Sequence, residues 1–429
     1  MAGLILPTHR GGLQGTVTLP TSKSLTNRAL IASAVADGGT IVAPLDCVDT
    51  RILATALRTA GWPVEWGAEI QIGERAVPED QVSLDLAESG TGSRLILALL
   101  AASPGRSVVD GSVRLRERPM APLLESLIRL GAHLSSRSGF LPVEIDGRKL
   151  QGGAEEMTPG VSSQFVSALV MAGPLMVDGL DLEVSGSFPS APYLDLTVDV
   201  MRSFGSELEV SEDRRSLRVF PKALARTRYR VEGDWSAAAF VLAAVAVAGG
   251  AVELGPLDPS SRQGDRAVLN ILVDAGLEVY WIDDRVVARG PVTAPIIADL
   301  RNTPDLFPAL AVVAANAPAG SRFTGLDHLK HKESDRLTVM VRNLERLGAR
   351  LNVDEAGCEV IETLGPRLGS MTSVTAAGDH RIAMAMALAA LVSGPIELDD
   401  PHCVSKSFPT FWTVWGQMLG ATRIQDFTT

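Results

Sequence analysis

The arrangement of hydrophobic and polar positions repeats six times along the chain. Each repeat opens with a polar segment, continues as an apolar, Ala-rich stretch and reaches a Gly before a short β-like run. A polar loop, an amphipathic helix, a second Gly and another β-like run complete the repeat. The two glycines suit helix ends, where a left-handed residue is common. They are Gly39, Gly105, Gly179, Gly250, Gly320 and Gly394, each followed 22 to 28 residues later by Gly61, Gly131, Gly205, Gly276, Gly348 and Gly420.

The six apolar stretches predict helices that are buried on all sides, because they lack a polar face. Three such helices in each half of the chain would form the core of one domain, surrounded by sheets and by the amphipathic helices. The sequence therefore predicts an α/β protein of two domains. The predicted buried helices are Ser24–Ala36, Thr91–Ala102, Ser163–Met176, Ser236–Ala248, Asp305–Ala315 and His380–Val392.

Polar and basic residues stand at the starts of these buried helices, as in SKSLTNR, ESGTGSR, NTPDLFP and GDHR. Capping explains hydroxyl and carboxylate groups at a helix start, but Lys and Arg there oppose the helix dipole. Basic residues are expected at such a position if an anion binds to the helix N-terminus. Helices that run the same way within each half would gather their starts at one end of each domain. Two such ends facing each other predict a charged cleft.

Composition narrows the class of protein. The hydrophobic fraction of 46% supports a sizeable core, and the net charge of −11 argues against broad nucleic-acid binding. The start MAGLILPTHRGG does not resemble a signal peptide, and the apolar run 237–252 is shorter than the roughly 20 residues of a membrane span. We therefore expect a cytoplasmic protein without a membrane segment.

Neither the cysteines nor the histidines predict a metal site. Cys47, Cys358 and Cys403 are far apart and form no CxxC pair, so a disulfide framework or structural zinc is not expected. His328 and His331 form an HxxH pair, which is weak support for a metal without further ligands. The sequence predicts neither a metal nor an organic cofactor.

Candidate chemistry lies at the helix starts. Lys23, Ser24 and Arg28 combine cations and a hydroxyl, and Ser24 and Arg28 share one helix face at i, i+4 spacing. Asp305 precedes a buried helix and is a candidate general base. Further cations and hydrogen-bonding groups suited to an anionic or sugar-like ligand are Arg114, Arg118, Ser162, Ser163, Gln164, Ser190, Tyr193, the 330–336 charge cluster, His380, Arg381 and Lys406.

These motifs, taken in order, resemble the enolpyruvyltransferase family of 3-phosphoshikimate 1-carboxyvinyltransferases, or EPSP synthases. The resemblance covers about residues 12 to 420 and is carried by SKSLTNRAL, SGTGSR, RERPM, SSQFVSAL, PDLFPALAV, KESDR, GDHRIAMAMAL and KSFPTFW. It implies two inverted, inside-out α/β barrels, each of three βαβαββ-like repeats. One domain would comprise residues 1–18 and 234–429, the other residues 19–233, with the active site in the cleft between them.

The resemblance also implies a reaction and a set of roles. The enolpyruvyl group of phosphoenolpyruvate is transferred to the 5-hydroxyl of shikimate 3-phosphate, and phosphate is released, in the pathway to aromatic amino acids. Lys23, Asp305 and Glu333 are the implied catalytic residues, with Asp305 as base and Glu333 as proton donor. The implied shikimate 3-phosphate site contains Lys23, Ser24, Arg28, Ser162, Ser163, Gln164, Ser190, Tyr193, Asp305, His328 and Lys332. The implied phosphoenolpyruvate site contains Lys23, Gly90, Thr91, Arg114, Gln164, Arg336, His380, Arg381 and Lys406.

Several positions depart from the family pattern. Thr21 replaces a glycine, Glu88 and Ser89 replace Asn-Ala, Leu95 stands at a common proline position, and His328 stands at an asparagine position. A carboxylate at 88 should weaken anion binding unless it pairs with a cation or points away. We therefore expect activity to persist and the response to glyphosate, an inhibitor of this family, to be unusual.

Two other functions fit parts of the sequence. The enolpyruvyltransferases that act on UDP-N-acetylglucosamine share the fold, but they usually carry a cysteine in the second-repeat loop, and residues 110–120 contain none. A non-catalytic protein that binds a phosphorylated metabolite is the other alternative, although it would not need Lys23, Asp305 and Glu333 together. The expected partners are small-molecule substrates, and a monomer is expected.

Overall fold

The chain divides into two compact units. Unit 1 comprises residues 1–20 and 233–429, and unit 2 comprises residues 21–232. In this computed structural model, the residues described are 3–9, 11–160, 162–365 and 371–420. Both units are mixed α/β, as the hydrophobic pattern predicts.

The described strands are mostly short. They are β1 Leu4–Leu6, β2 Leu13–Thr18, β3 Gly39–Val42, β4 Val64–Trp66, β5 Glu69–Ile72, β6 Val82–Asp85, β7 Gly105–Asp110, β8 His133–Arg137, β9 Phe140–Gly147, β10 Gly153–Met157, β11 Leu180–Val184, β12 Leu208–Val210, β13 Ser216–Val219, β14 Thr227–Arg230, β15 Gly250–Gly255, β16 Glu278–Ile282, β17 Arg285–Gly290, β18 Ile297–Asp299, β19 Arg322–Thr324, β20 Arg350–Asp354, β21 Gly357–Glu362, β22 Thr372–Val374 and β23 Ile396–Leu398.

The helices alternate with these strands. They are α1 Lys23–Val35, α2 Val48–Thr59, α3 Gly90–Ala101, α4 Val113–Arg116, α5 Ala121–Arg129, α6 Gln164–Ala172, α7 Pro192–Ser203, α8 Trp235–Ala248, α9 Val268–Asp274, α10 Phe307–Asn316, α11 Arg336–Arg346, α12 His380–Ser393 and α13 Phe411–Met418. Short 3-10 turns cover residues 173–175, 264–267, 304–306, 327–331 and 401–406.

One sheet topology recurs through the described residues. In a typical sheet, β6 pairs in parallel with β7, β7 pairs antiparallel with β9, and β9 pairs antiparallel with β8. The same order links β10, β11, β13 and β12, and likewise β18, β19, β21 and β20. The sixth sheet has the order β1-β23-β22, with β22 parallel to β23 and β1 antiparallel to it. The sixfold sequence repeat is therefore a repeat of sheets.

The chain passes from one unit to the other shortly after β2 and again shortly after β14. β2 precedes α1 of unit 2 in the chain, but it pairs in parallel with β15 of unit 1. β14 precedes α8 of unit 1, but it pairs in parallel with β3 of unit 2. Each of these strands thus lies in the sheet of one unit, while the next helix in the chain belongs to the other unit. Unit 1 is consequently discontinuous in sequence.

The predicted buried helices are confirmed, with small shifts at their ends. α1, α3 and α6 pack against one another in unit 2, and α8, α10 and α12 do so in unit 1. Their apolar residues are almost entirely buried, as expected for helices surrounded by other elements. Two predictions ran too long: the predicted 305–315 helix begins with a 3-10 turn at 304–306, and the predicted 163–176 helix ends with a 3-10 turn at 173–175.

The two sets of glycines serve different purposes. Every one of the twelve has a positive φ. The second set directly follows the last helical cap, for instance Gly61 after Ala60 of α2, so the prediction of helix ends is confirmed for it. In the first set, Gly39, Gly105 and Gly250 are the first residues of strands, whereas Gly394 caps the C-terminal end of α12, as predicted. A Cβ on Gly250 would lie 2.1 Å from the carbonyl oxygen of Leu13.

Candidate functional site

Buried helix starts in unit 1 carry a cluster of opposite charges. We call this set the charged cluster of unit 1. Asp305 comes from the turn before α10, Arg336 from the first residue of α11, and Arg381 from the first turn of α12. The complete set is Asp265, Asp305, Lys332, Glu333, Arg336, Asp379, Arg381 and Lys406.

Arg336 is the centre of the cluster, and its side chain is only 1% exposed. Its Nε donates to Asp379 Oδ2 at 3.0 Å, its Nη1 to Asp305 Oδ1 at 2.9 Å and its Nη2 to Glu333 Oε2 at 2.7 Å. Burial alone would lower the pKa of Arg336, but Asp379, Glu333 and Asp305 together raise it. Arg336 therefore stays charged and orients three carboxylates.

Asp305 is bound from several sides. Arg381 Nη2 lies 2.8 Å from Asp305 Oδ2, and Lys332 Nζ lies 3.5 Å from Asp305 Oδ1. Burial alone would raise the pKa of Asp305, yet the charges of Arg381, Lys332 and Arg336 outweigh it and hold that pKa well below its ordinary value. Asp305 is therefore ionised at neutral pH, as a general base must be before it accepts a proton.

Glu333, Lys406 and His380 lie at or beside the cluster. Glu333 is 16% exposed, and its Oε1 lies 3.9 Å from Lys406 Nζ. His380 is the first residue of α12 and is buried. His328, in the 327–331 turn, is also buried, and burial together with the nearby charge of Lys332 lowers its pKa to about 4. His328 is therefore neutral at physiological pH and can hydrogen-bond a ligand without adding a charge.

Two acidic residues of the cluster, Asp379 and Asp265, were not predicted from the sequence as site residues. Asp379 caps α12 by accepting from the backbone N–H of Arg381 at 3.0 Å, and it also accepts from Ser334 Oγ at 3.1 Å. Its side chain is fully buried beside Arg336. Asp265 accepts a hydrogen bond from Ser236 Oγ near the start of α8. The motif GDHR could have pointed to Asp379 as a cap, but only the fold shows which cation it holds.

The buried carboxyl group of Asp265 makes the free energy of unfolding depend on pH. Burial first, and the charge of Asp305 second, raise the pKa of Asp265 to about 6. Between its unfolded value of about 3.9 and this folded value, the folded protein binds more protons than the unfolded chain, so stability falls as pH rises through this range. Above about pH 6, the ionised group costs about 3 kcal/mol.

Asp265→Asn should therefore leave the free energy of unfolding unchanged near pH 4 and raise it by about 1–3 kcal/mol at pH 7.5. Urea unfolding at both pH values measures the difference. Asp284→Asn removes an exposed carboxylate of the same unit and should show no such pH dependence. An equal effect of Asp265→Asn at both pH values would contradict the assignment.

In unit 2, the start of α1 carries the predicted lysine and arginine. Lys23 Nζ lies 2.9 Å from Asp49 Oδ2, in the first turn of α2. Arg28 is 1% exposed, and its Nε, Nη1 and Nη2 donate to Thr197 Oγ1, the carbonyl of Ser24 and the carbonyl of Tyr193. Burial lowers the pKa of Arg28 to about 10.

No carboxylate of the described residues forms an ion pair with Arg28. A buried cation without a counter-charge is costly, and an anionic ligand would offset that cost. Ser24 and Tyr193, which belong to the predicted phosphate site, are the residues whose carbonyls orient this guanidinium. The structure thus gathers part of the predicted phosphate site around Arg28.

The starts of α3 and α6 meet in the same unit. Gln164 accepts from Arg94 Nη1 at 2.5 Å and donates to Thr91 Oγ1 at 3.0 Å, while its backbone N–H donates to Ser162 Oγ at 3.3 Å. Ser163 precedes α6 and is buried. Arg94 was not predicted as a site residue, although it lies in the motif SGTGSR.

Ser190 is a strained member of the predicted phosphate site. It is buried and has a φ of 60° although it is not a glycine. Such backbone conformations cost on the order of 1–3 kcal/mol and concentrate at functional sites. The strain is consistent with a binding role for the loop that precedes α7.

Of Arg114 and Arg118, the two arginines of the second-repeat loop named as candidates, Arg118 places its guanidinium at the start of α3. A Cβ added to Gly90 would lie 2.2 Å from Arg118 Nη1, so the guanidinium rests directly on that glycine. Arg114, which the resemblance implied, is about one third exposed and pairs with Glu117 at 2.9 Å. The role of Arg114 stays a prediction, while Arg118 is the arginine that the fold brings to Gly90.

The positions that depart from the family pattern lie in different environments. Leu95 is fully buried in the core of unit 2, and Ser89 caps α3 by accepting from the N–H of Gly92. Thr21 has a negative φ and needs no glycine-like conformation. Glu88 is exposed to solvent. None of these residues removes a charged group of the predicted site.

Two cavities of the described residues differ in how near they lie to these helix starts. One of about 900 Å³ lies on the sheet formed by β10, β11, β13 and β12 in unit 2, beside Arg129, Glu155 and Asp181. Another of about 360 Å³ in unit 1 adjoins the start of α11 and is lined by Arg301, Lys330, Asp335 and residues 354–357, among others. Within the described residues, no group of His, Cys, Asp and Glu has the arrangement of a metal site, and no helix has both the length and the hydrophobicity of a membrane span.

Comparison with known proteins identifies the family. The sequence model of EPSP synthase (3-phosphoshikimate 1-carboxyvinyltransferase) matches residues 7–415. The chain therefore belongs to the EPSP synthase family. A 3-phosphoshikimate 1-carboxyvinyltransferase of Methanoculleus marisnigri is 38% identical over 97% of this chain and 100% of its own length. That of Methanothermobacter thermautotrophicus is 39% identical over 94% and 95%.

Solved structures agree in fold. An EPSP synthase from Acinetobacter baumannii superposes with a TM-score of 0.79 at 25% identity, covering 97% of this chain and 98% of that chain. The enolpyruvyl transferase NikO from Streptomyces tendae has a TM-score of 0.78 at 19% identity, covering 97% of each chain, and supports the fold alone.

Proposed function

We propose that this chain transfers the enolpyruvyl group of phosphoenolpyruvate to the 5-hydroxyl of shikimate 3-phosphate, with release of phosphate. The observation that carries the proposal is the charged cluster of unit 1, where Asp305 and Glu333 share the buried guanidinium of Arg336. A base and an acid beside cations are what this reaction requires. Family membership and relatives named 3-phosphoshikimate 1-carboxyvinyltransferase support it.

In the proposed mechanism, Asp305 accepts the proton of the 5-hydroxyl as its oxygen attacks C2 of phosphoenolpyruvate. Glu333 donates a proton to the methylene carbon, giving a tetrahedral intermediate with a methyl group. The C2–phosphate oxygen bond then breaks, phosphate leaves, and loss of a methyl proton restores the double bond. Lys23 is proposed to contact both substrates and to assist proton transfer. No cofactor or metal is required for this sequence of steps.

The proposed binding residues fall into two sets. Arg28, with no carboxylate partner among the described residues, supports a phosphate site at the start of α1 for shikimate 3-phosphate. The other members of that site are Ser24, Ser162, Ser163, Gln164, Ser190, Tyr193, His328 and Lys332. For phosphoenolpyruvate we propose Gly90, Thr91, Arg336, His380, Arg381 and Lys406, with Arg118 in place of Arg114 beside Gly90.

Three further features stay proposals. Each unit is proposed to be an inverted α/β barrel of three repeats, which the shared sheet topology supports. We also propose that both sets of helix starts serve one active site, because the reaction joins two anionic substrates. A cytoplasmic monomer is the proposed working form.

The test is phosphate release by the purified protein with phosphoenolpyruvate and shikimate 3-phosphate, with the product identified by mass. Omission of shikimate 3-phosphate is the control and should abolish release. Replacement of shikimate 3-phosphate by UDP-N-acetylglucosamine tests the alternative specificity. Folded protein that releases no phosphate with shikimate 3-phosphate would rule out the proposed function.

Gly90→Ala is predicted to raise the KM for phosphoenolpyruvate by about tenfold, or about 1.4 kcal/mol. The added methyl group would overlap the guanidinium of Arg118 and displace it. The Kd of shikimate 3-phosphate should stay unchanged. Gly67→Ala is the control, because its Cβ would meet no atom closer than 3.7 Å. An unchanged KM for phosphoenolpyruvate would show that Arg118 does not bind it.

A further inference from the structure

The cations proposed to bind phosphoenolpyruvate are bonded to carboxylates of the protein itself. Asp305 contacts Arg336 and Arg381 through different oxygens, at 2.9 Å and 2.8 Å. Glu333 contacts Arg336 at 2.7 Å and approaches Lys406 at 3.9 Å. These are the N–H groups that a ligand carboxylate or phosphate would need.

Asp379 differs from Asp305 and Glu333 in its burial. The Asp379 side chain is 0% exposed and is fixed by Ser334 and by the backbone of Arg381, whereas those of Asp305 and Glu333 are 19% and 16% exposed. Asp379 is therefore a permanent partner of Arg336. Asp305 and Glu333 can exchange their bonds for bonds to a ligand that enters from the solvent side.

We propose that Asp305 and Glu333 compete with the anionic ligand for Arg336, Arg381 and Lys406, and that ligand binding releases Asp305 from these cations to act as the base. The proposal rests on the proposed function and adds the step by which the site is activated. In the bound state, a carboxylate or phosphate of the ligand replaces Asp305 or Glu333 as the partner of these cations.

The charge balance of the cluster supports this exchange. Its described members comprise the acids Asp265, Asp305, Glu333 and Asp379 and the bases Lys332, Arg336, Arg381 and Lys406. An incoming anion therefore adds negative charge to a balanced set. Because Arg381, Lys332 and Arg336 are the groups that lower the pKa of Asp305, their engagement by a ligand raises that pKa and makes Asp305 a stronger base.

The decisive experiment compares anion binding by Asp305→Asn and by Asp327→Asn. Both variants remove one negative charge from the same stretch of unit 1, but Asp327 is exposed and has no ion pair with Arg336 or Arg381. Phosphoenolpyruvate alone and inorganic phosphate are the probes, titrated by calorimetry. Asp305→Asn should bind both about tenfold more tightly than the unaltered protein, and Asp327→Asn should not.

The comparison is made at pH 8, where Asp305 and Asp265 are both ionised in the unaltered protein. Glu333→Gln is the second variant and should also tighten binding, by a smaller factor since Lys406 lies 3.9 Å away. Affinity of Asp305→Asn that is equal to or weaker than that of Asp327→Asn, in folded protein, would overturn the proposal. Inorganic phosphate binding does not depend on turnover, so failure of the phosphate-release assay is a separate outcome.

Discussion

Glu333→Gln should lower kcat for phosphate release by about a thousandfold, within the usual range of general acid catalysis. Glutamine keeps the shape of the side chain and can still accept from Arg336, but it cannot donate a carboxylic proton to the methylene carbon. The Kd of shikimate 3-phosphate should stay within about twofold, because that ligand is proposed to bind through Arg28 and Lys332. Steady-state kinetics and calorimetry measure the two quantities.

Glu362→Gln is the matched control for this prediction. Glu362 is exposed and pairs with Arg350 on β20, and neither residue belongs to the charged cluster of unit 1. Its replacement should leave kcat unchanged. If Glu333→Gln kept full turnover, Glu333 could not be the proton donor, and if it lost affinity for shikimate 3-phosphate in parallel, its role would be structural.

Arg336→Met should lower the free energy of unfolding by about 3–5 kcal/mol, the range expected when one partner of a buried ion pair is removed. The reason is Asp379, which would remain at 0% exposure without its guanidinium partner. Turnover should also fall strongly, because Asp305 and Glu333 lose their common support. Urea unfolding followed by tryptophan fluorescence reports the change, since Trp235, Trp281, Trp412 and Trp415 belong to unit 1.

A double replacement separates charge from packing. Arg336→Met with Asp379→Asn removes both buried charges and should recover part of the lost stability while leaving turnover low. Arg350→Met breaks the exposed pair with Glu362 and should cost less than about 1 kcal/mol. A single Arg336→Met variant as stable as the unaltered protein would show that Asp379 finds another partner or is neutralised.

The regular parts of the fold were predictable because they follow local rules. Helices such as α8 and α12 have no polar face, and burial is the only stable outcome for such a segment. The second glycine of each repeat follows a helix cap, which the neighbouring residues determine. The basic helix starts of unit 1 also came together, as Arg336 and Arg381 show by sharing Asp305.

The partners of the predicted residues were not predictable, because they lie far away in sequence. Arg336 and Asp379 are separated by 43 positions, and Lys23 and Asp49 by 26. Choosing between Arg114 and Arg118 required the position of each side chain relative to Gly90, which no spacing rule supplies. The sheet to which β2 and β14 belong could not be predicted either, because each pairs with a strand far away in sequence, β15 and β3 respectively.

The pairing of β1 and β2 with strands late in the chain affects the order of folding during synthesis. Residues 21–232 contain every strand of the sheets of unit 2, so this unit can fold as soon as its own segment has emerged from the ribosome. β2 must instead wait for β15 at residues 250–255, and β1 must wait for β23 at residues 396–398. The first strands of the chain are therefore among the last to be paired, and their exposed edges need protection from aggregation while the rest is translated.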